Sequence, residues 1–247
     1  MKIQVQITEH PGVEALRGLY RQEANCQIIY DSFFARGLAD CYLIMVEGNI
    51  GGYGAVSNKY DKGRLVEFYT LPHVRRLALP MFRELLAASH ATSISAQTNI
   101  PLMLTMLYDC AKNIATEKIL FHDAAITRLD CKNGVFRHSE PDEAGTIFPH
   151  SQEPVGDWVI EANGAIVATG GFLCHYNPPY GDIYMEVAEP ARLQGYGSYL
   201  VQELKRVCYE SGKRPAARCN PDNAGSRRTL EKAGMLPCGR LLVGKVK

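Results

Sequence analysis

A chain of 247 residues, 46% hydrophobic and 21% charged, can bury a large core and has the composition of a globular protein rather than a fibrous or disordered one. Its formal net charge of +1 leaves no electrostatic footprint for nucleic acid or an anionic membrane, so neither is expected as a partner. The cysteines are scattered without a C-x-x-C pair, no apolar run reaches membrane-spanning length, and MKIQVQITEH has no signal-peptide core; these features predict a cytoplasmic protein with no disulfide framework and no metal site.

In chain order, Lys2–Thr8 alternates polar and apolar residues as a strand does. Val13–Ala24 sets Val13, Leu16, Leu19 and Tyr20 on one helical face, and Gln27–Leu38 reads as a second helix. Cys41–Val46 and Ile50–Val56 are strands about the turn Glu47-Gly48-Asn49, and Arg64–Leu71 is another. A helix over Arg75–Ser89, a strand over Thr92–Thr98 and a helix from Pro101 to Lys112 follow, and Ile119–Leu129 finishes the first half.

The second half repeats the first. Gly48-Asn-Ile50 through Gly54 to Tyr60 matches Gly164-Ala-Ile166 through Gly170 to Tyr176 at a fixed offset, and after a two-residue gap Leu65–Tyr69 falls on Ile183–Val187. Gln97-Thr-Asn99 falls on Arg218-Cys-Asn220, each closing a strand ahead of a helix. Matches kept in the same order indicate a duplication, and the polar stretch Asp130–Gly134 sets the expected domains at 1–130 and 131–247.

One stretch of the second copy carries chemistry. The strand Ile183-Tyr-Met-Glu-Val187 enters a turn holding Arg192, Gly195 and Gly197, and a helical pattern runs from Ser198 to Cys208. A strand that enters a helix through a glycine turn leaves the first helical N–H groups facing outward, and with the helix dipole this makes an anion cradle. The matching positions of the first half are Val74, Leu77 and Leu79, followed by Pro80, so that copy is expected to have lost the cradle. Conversely, too little chain precedes Trp158 for two helices like those of the first half. The second copy is therefore expected to do the chemistry, with the first propping or lidding it.

Two motifs, V-x-x-x-x-R-x-x-G-x-G from Val187 to Gly197 and N-x-x-S-x-x-x-L-E-K-x-G from Asn223 to Gly234, stand in the order and at the spacing of the GNAT acyltransferase superfamily. Residues 155–240 resemble that family, and the first half resembles a degenerate copy of it. The resemblance implies an α/β (α+β) fold in two GNAT-like domains, each a mixed, mostly antiparallel sheet flanked by helices. It implies an acetyl-CoA-dependent enzyme that moves an acyl group to a primary amine of a small molecule or protein, and it leaves a homodimer open. The turn Arg192, Leu193, Gln194, Gly195, Tyr196, Gly197 and Ser198 would hold the CoA pyrophosphate. Met185 and Val187, at a splayed strand end, and Asn223 and Ser226 would hold the pantetheine arm. The family often has a tyrosine, acid to the departing thiolate, where this chain has Leu230.

An amine is protonated at neutral pH and must lose a proton before it attacks, so a base is needed. Alternation puts Ile183, Met185 and Val187 on one face of their strand and Tyr184 and Glu186 on the other; Glu186 is the first candidate base and Asp182 the second. A backbone N–H near Met185 or Val187 would hold the oxyanion. Lys205, Arg206, Arg227 and Arg228 read as solvated helix positions, with a CoA 3′-phosphate as the alternative. Cys174, Cys208 and Cys219 read as small core residues, and Trp158 as a core residue opening a strand. His175, beside Tyr176 and Asn177, reads as a loop residue, with the acceptor pocket as the alternative. Two other functions stay open: a catalytically inactive acyl-CoA sensor or scaffold, and a domain gripping another phosphate, although neither a P-loop nor a dinucleotide fingerprint is present.

Overall fold

Glu47 and Gly48 both take the left-handed conformation, at φ 49° and 81°, and the strand turns back there in a two-residue hairpin. Asn163 and Gly164, at φ 53° and 74°, do the same in the second half. These hairpins open the two copies of one architecture in the computed structural model, which describes residues 2–24, 26–131, 133–151, 153–175 and 178–247, apart from the side chain at 144. The chain folds as two compact units, Met1–Lys118 with Gly239–Lys247, and Ile119–Cys238. The division thus lies ahead of the polar stretch at 130–134, and the C-terminal residues return to the first unit.

Unit one contains β1 (Ile3–Thr8), α1 (Glu14–Ala24), α2 (Asp31–Ala35), β2 (Ala39–Val46), β3 (Asn49–Ser57), β4 (Arg64–Thr70), α3 (Ala78–Ser89), β5 (Ser93–Gln97) and α4 (Pro101–Cys110). Strands β1 to β4 pair in order and antiparallel; β5 lies parallel to β4 and antiparallel to the end of the last strand of the chain. On one face α3 packs Phe82 edge-on against Phe68, and a Cβ on Gly54 would come within 2.2 Å of Leu85. On the other face α1 inserts Arg17, 1% exposed, toward Glu67, 0% exposed. The Arg17 guanidinium donates to both Glu67 oxygens, at 3.0 and 3.1 Å, and to Asp31 at 2.8 Å, and it lies 3.5 Å over the Phe34 ring. Tyr53 donates a further hydrogen bond to Glu67. Burial works against the Arg17 charge, and Glu67, Tyr53 and Asp31 together more than offset it, so the guanidinium pKa is raised.

The helix expected over Gln27–Leu38 is only the short α2. Long-range partners have taken the backbone groups that a helix would use: Gln97 donates to the Ile28 carbonyl at 2.6 Å, and the Tyr30 N–H donates to Glu67 at 3.3 Å. Likewise Pro72–Leu77 forms a 3-10 turn before α3, and the residues after Cys110 start β6 (Ala111–Asp123) rather than finishing a helix.

Unit two contains the end of β6, β7 (Gly134–His138), β8 (Trp158–Ala162), β9 (Ala165–Leu173), β10 (Tyr180–Val187), α5 (Tyr196–Glu210), β11 (Arg214–Cys219), α6 (Ala224–Lys232) and the start of β12 (Met235–Val246). The sheet order is β6-β11-β10-β9-β8-β7, and only β10–β11 is parallel. Helix α5 presents Tyr196, Leu200 and Leu204 at four-residue spacing to a core with Phe121, Ile160, Ile183 and Leu230. Trp158 opens β8 and stacks on Phe136, ring centroids 4.8 Å apart, at the edge of that core. Cys208 and Cys219 are buried as expected, whereas Cys174 lies past the end of β9 and is exposed. Strands β7 and β12 went unforeseen.

Strand pairing corrects the internal alignment by one residue. Gly54 pairs with Phe68 and Gly170 with Met185, so Glu186 corresponds to Tyr69. A one-residue slip would reverse the faces, and the packing agrees: Gly54 abuts Leu85 on α3, and Gly170 abuts Leu204 on α5.

Candidate functional site

Strand β10 runs parallel to β11 only from Tyr180 to Ile183, yet it stays paired with β9 as far as Val187. The last residues of β10 therefore part from β11. The Ala188 N–H donates to the Val167 carbonyl, which fixes the ladder alternation and turns the backbone groups of Met185 and Val187 away from β9, toward the gap. A cavity of about 590 Å³ opens there. Its walls are Met185, Glu186 and Val187 of β10, the turn into α5, one side of α6, and Ser151 and Glu153 from the segment before β8.

The turn is an anion cradle in its backbone. Gly195, at φ 95°, caps α5 with no side-chain hydrogen bond, and the first helical bond is Tyr199 N–H to the Gly195 carbonyl at 3.1 Å. The amides of Tyr196, Gly197 and Ser198 thus lack an acceptor within the helix. Leu193 is fully exposed at φ 64°, a left-handed conformation that costs a side chain about 1–2 kcal/mol. Bonds on either side hold it there: Arg192 donates from Nε to the Val187 carbonyl at 3.3 Å, and Gln194 donates to the Pro190 carbonyl at 3.1 Å. A Cβ on Gly197 would sit 3.3 Å from Thr229 Cγ2 and Val187 Cγ2 and 3.4 Å from Met185 Cε. The strand end, the turn and α6 meet at that glycine.

The N-x-x-S spacing has a structural duty as well. Asn223 caps α6, its Oδ1 accepting from the Ser226 N–H at 2.9 Å. On the far side, Glu186 fastens the segment ahead of β8. Its Oε1 accepts from the Ser151 N–H and hydroxyl at 3.0 and 2.9 Å, and its Oε2 accepts from the Glu153 N–H at 3.1 Å. His150 stands 3.7 Å from the same carboxylate and 3.0 Å from Thr169. Burial raises the Tyr184 phenol pKa, helped by the charges of Asp157 and Glu153.

Met185, Glu186, Val187, Arg192, Leu193, Gly195, Tyr196, Gly197, Ser198, Asn223 and Ser226 line the cavity together. Gln194 and Asp182 are not among the lining residues; Asp182 is ion-paired with Arg218 at 3.1 Å. His175 is half-buried, and burial, followed by the Arg218 charge, lowers its pKa. Tyr176 and Asn177 lie outside the described residues. Leu230, 4% exposed, is committed to the core. Sequence reasoning missed Thr229, Lys232, Ser151 and Glu153; Arg228 is exposed, as a solvated position is, and it also lines the cavity. The α6 residues were legible in principle, because Gly225, Arg228, Thr229 and Lys232 recur at three and four residues along a helix capped by Asn223.

Orphan amides at a glycine turn suit a diphosphate, and the strand gap beside apolar Met185, Val187 and Ala191 suits a slender, partly apolar arm. The cavity therefore fits the expected CoA thioester. Among the described residues no cluster of three or more His, Cys, Asp or Glu could hold a metal ion, and no helix is long and apolar enough to cross a membrane.

A splayed sheet with a glycine turn at the head of a packed helix makes each unit a mixed α/β fold, a sheet flanked by helices. The chain belongs to the GNAT acetyltransferases: the profile of the Acetyltransferase (GNAT) family matches residues 123–235, and that of an Acetyltransferase (GNAT) domain matches residues 13–124, giving two tandem domains. Among solved structures, a GNAT-family acetyltransferase from Colwellia psychrerythraea shares the fold at a TM-score of 0.71 and 14% identity, over 100% of both chains. A tandem GNAT protein from the clavulanic acid biosynthesis pathway aligns at a TM-score of 0.62 and 12% identity, over 99% of this chain and 98% of its own. A GCN5-related N-acetyltransferase from Sphaerobacter thermophilus aligns at 0.58 and 14%, over 98% and 95%. No curated protein sequence is similar to the chain.

Proposed function

We propose that unit two transfers an acetyl or other acyl group from acyl-CoA to a primary amine of a small molecule or protein by direct attack. The observation that carries this reading is the meeting, in one cavity, of the β10–β11 gap and the α5 turn. The turn amides of residues 196–198 would receive the diphosphate, and the Met185 and Val187 backbone would hold the arm and, through one N–H, the tetrahedral oxyanion. The thioester is thereby presented at the end of β10, with Glu186 on the opposite face of that strand from Met185 and Val187.

The attacking amine arrives protonated, with a pKa near 10.4 for lysine or about 8 for an α-amine. Glu186 is the proposed base, directly or through a water, and its bonds to Ser151 and Glu153 hold the carboxylate still. Asp182, held by Arg218 away from the cavity lining, is a poorer choice for that step. The leaving thiolate needs little help, since thiols ionise near 8.5, so a leucine at 230 is tolerable.

Glu186→Gln tests the assignment. It should lower kcat/KM for amine-dependent thiol release by about 10²-fold, within the span of general-base catalysis, and remove the acid limb of the pH profile. An unaltered profile would take Glu186 out of the mechanism.

A further inference from the structure

The cations around α5 and α6 fall into two sets. Lys205 is buried and committed to Asp123 at 2.6 Å and to the Ala125 and Ala233 carbonyls. Arg206 pairs with Glu203 and Glu210, and Arg227 pairs with Glu231 at 2.8 Å. Arg192 spends its Nε on the Val187 carbonyl at the head of the turn. Arg228 and Lys232 differ from the paired cations of α5 and α6, and share with Arg192 of the turn an exposed place on the cavity wall. Both are exposed, both line the cavity, and neither side chain has a carboxylate partner among the described residues. They stand four residues apart on one helix, a spacing at which like charges repel and cost a helix a few tenths of a kcal/mol. Lys232 lies in the last turn of α6, where the helix dipole favours a cation, but that does not account for Arg228 on the same cavity wall.

The cavity thus offers two separate anion sites: neutral backbone amides at the turn, and an unneutralised guanidinium–ammonium pair on α6. Peptide amides suit a diphosphate lying against the backbone. An Arg fork beside a Lys point charge suits a terminal phosphomonoester, which carries about −1.5 to −2 charge at pH 7. Resting on the acyl-CoA reading above, we infer that Arg228 and Lys232 form a phosphomonoester subsite that takes the ribose 3′-phosphate of CoA, so that the protein distinguishes CoA from 3′-dephospho-CoA.

Calorimetric titration of the full chain with CoA and with 3′-dephospho-CoA tests this, using the native protein, Arg228→Gln/Lys232→Gln and, as a control, Arg227→Gln. Charge-assisted hydrogen bonds to the phosphate should give the native chain a preference for CoA of about tenfold or more, weakening as salt rises. The double variant should bind the two ligands alike, with its affinity for dephospho-CoA unchanged, and Arg227→Gln should keep the native preference. Equal binding of both ligands by the native chain, or a preference that survives in the double variant, overturns the subsite. Failure of the native chain to bind either ligand overturns the acyl-CoA reading itself.

Discussion

Gly197 is where the account is easiest to break. The residue sits in ordinary helical backbone at the start of α5, so a side chain there meets no conformational penalty. An added Cβ would touch Thr229, Val187 and Met185 at 3.3–3.4 Å, close enough to press on the neighbours by a few tenths of an ångström. Replacing a helical glycine also recovers roughly 0.5–1 kcal/mol, so Gly197→Ala should leave the unliganded protein within about 1 kcal/mol of native. The ligand is affected differently. Gly197→Glu brings a carboxylate to the amides meant for a diphosphate; losing one charge-assisted hydrogen bond alone costs about 1.5–3 kcal/mol, and repulsion adds to it. A ligand at a hundred times its Kd stabilises the native state by about 2.7 kcal/mol, and a hundredfold weaker one by only about 0.4. Thermal melts with and without acetyl-CoA should therefore show a shift of roughly 5–10 °C in the native chain and almost none in Gly197→Glu. A glutamate variant that keeps the native shift would mean that no phosphate approaches this turn.

Two further outcomes follow from the packing. Glu67→Leu takes from the buried Arg17 guanidinium its fully buried partner and leaves Asp31 at 2.8 Å and Glu14 at 3.9 Å, which should cost about 3–5 kcal/mol in denaturant unfolding; adding Arg17→Met should restore most of that, and a loss under 1 kcal/mol would refute the buried pair. Under native conditions a thiol reagent should modify exposed Cys174 first, while Cys26 and Cys208, whose pKa values burial pushes up to about 12, stay unreactive until the chain unfolds; rapid native labelling of Cys26 would contradict their burial.

What could be read from the sequence was local. The hairpins at Glu47-Gly48 and Asn163-Gly164, the glycine turn and the cap at Asn223 are each set by neighbouring residues, and the structure brings the turn and the α6 cap to one cavity. What escaped depended on distant partners. The stretch at 27–38 has helical spacing, yet Gln97 and Glu67 capture its backbone. The bond of Glu186 to Ser151 spans a segment with no periodicity, so nothing in the sequence announced that the candidate base is also a fastener. Arg228 is exposed like its neighbours, and only their ion pairs and its place on the cavity wall, which depend on the fold, set it apart. The alignment of the two copies slipped by one residue because apolar residues alone do not fix register, whereas the Gly54–Phe68 and Gly170–Met185 pairs do.

The most direct test of the central claim is thiol release from acetyl-CoA by the full chain across a panel of primary amines, with Gly197→Glu assayed alongside. Release should depend on the amine, saturate with acetyl-CoA and disappear in the variant. Acetyl-CoA that binds the native chain without amine-dependent release from any member of the panel, or equal turnover by Gly197→Glu, would contradict the claim.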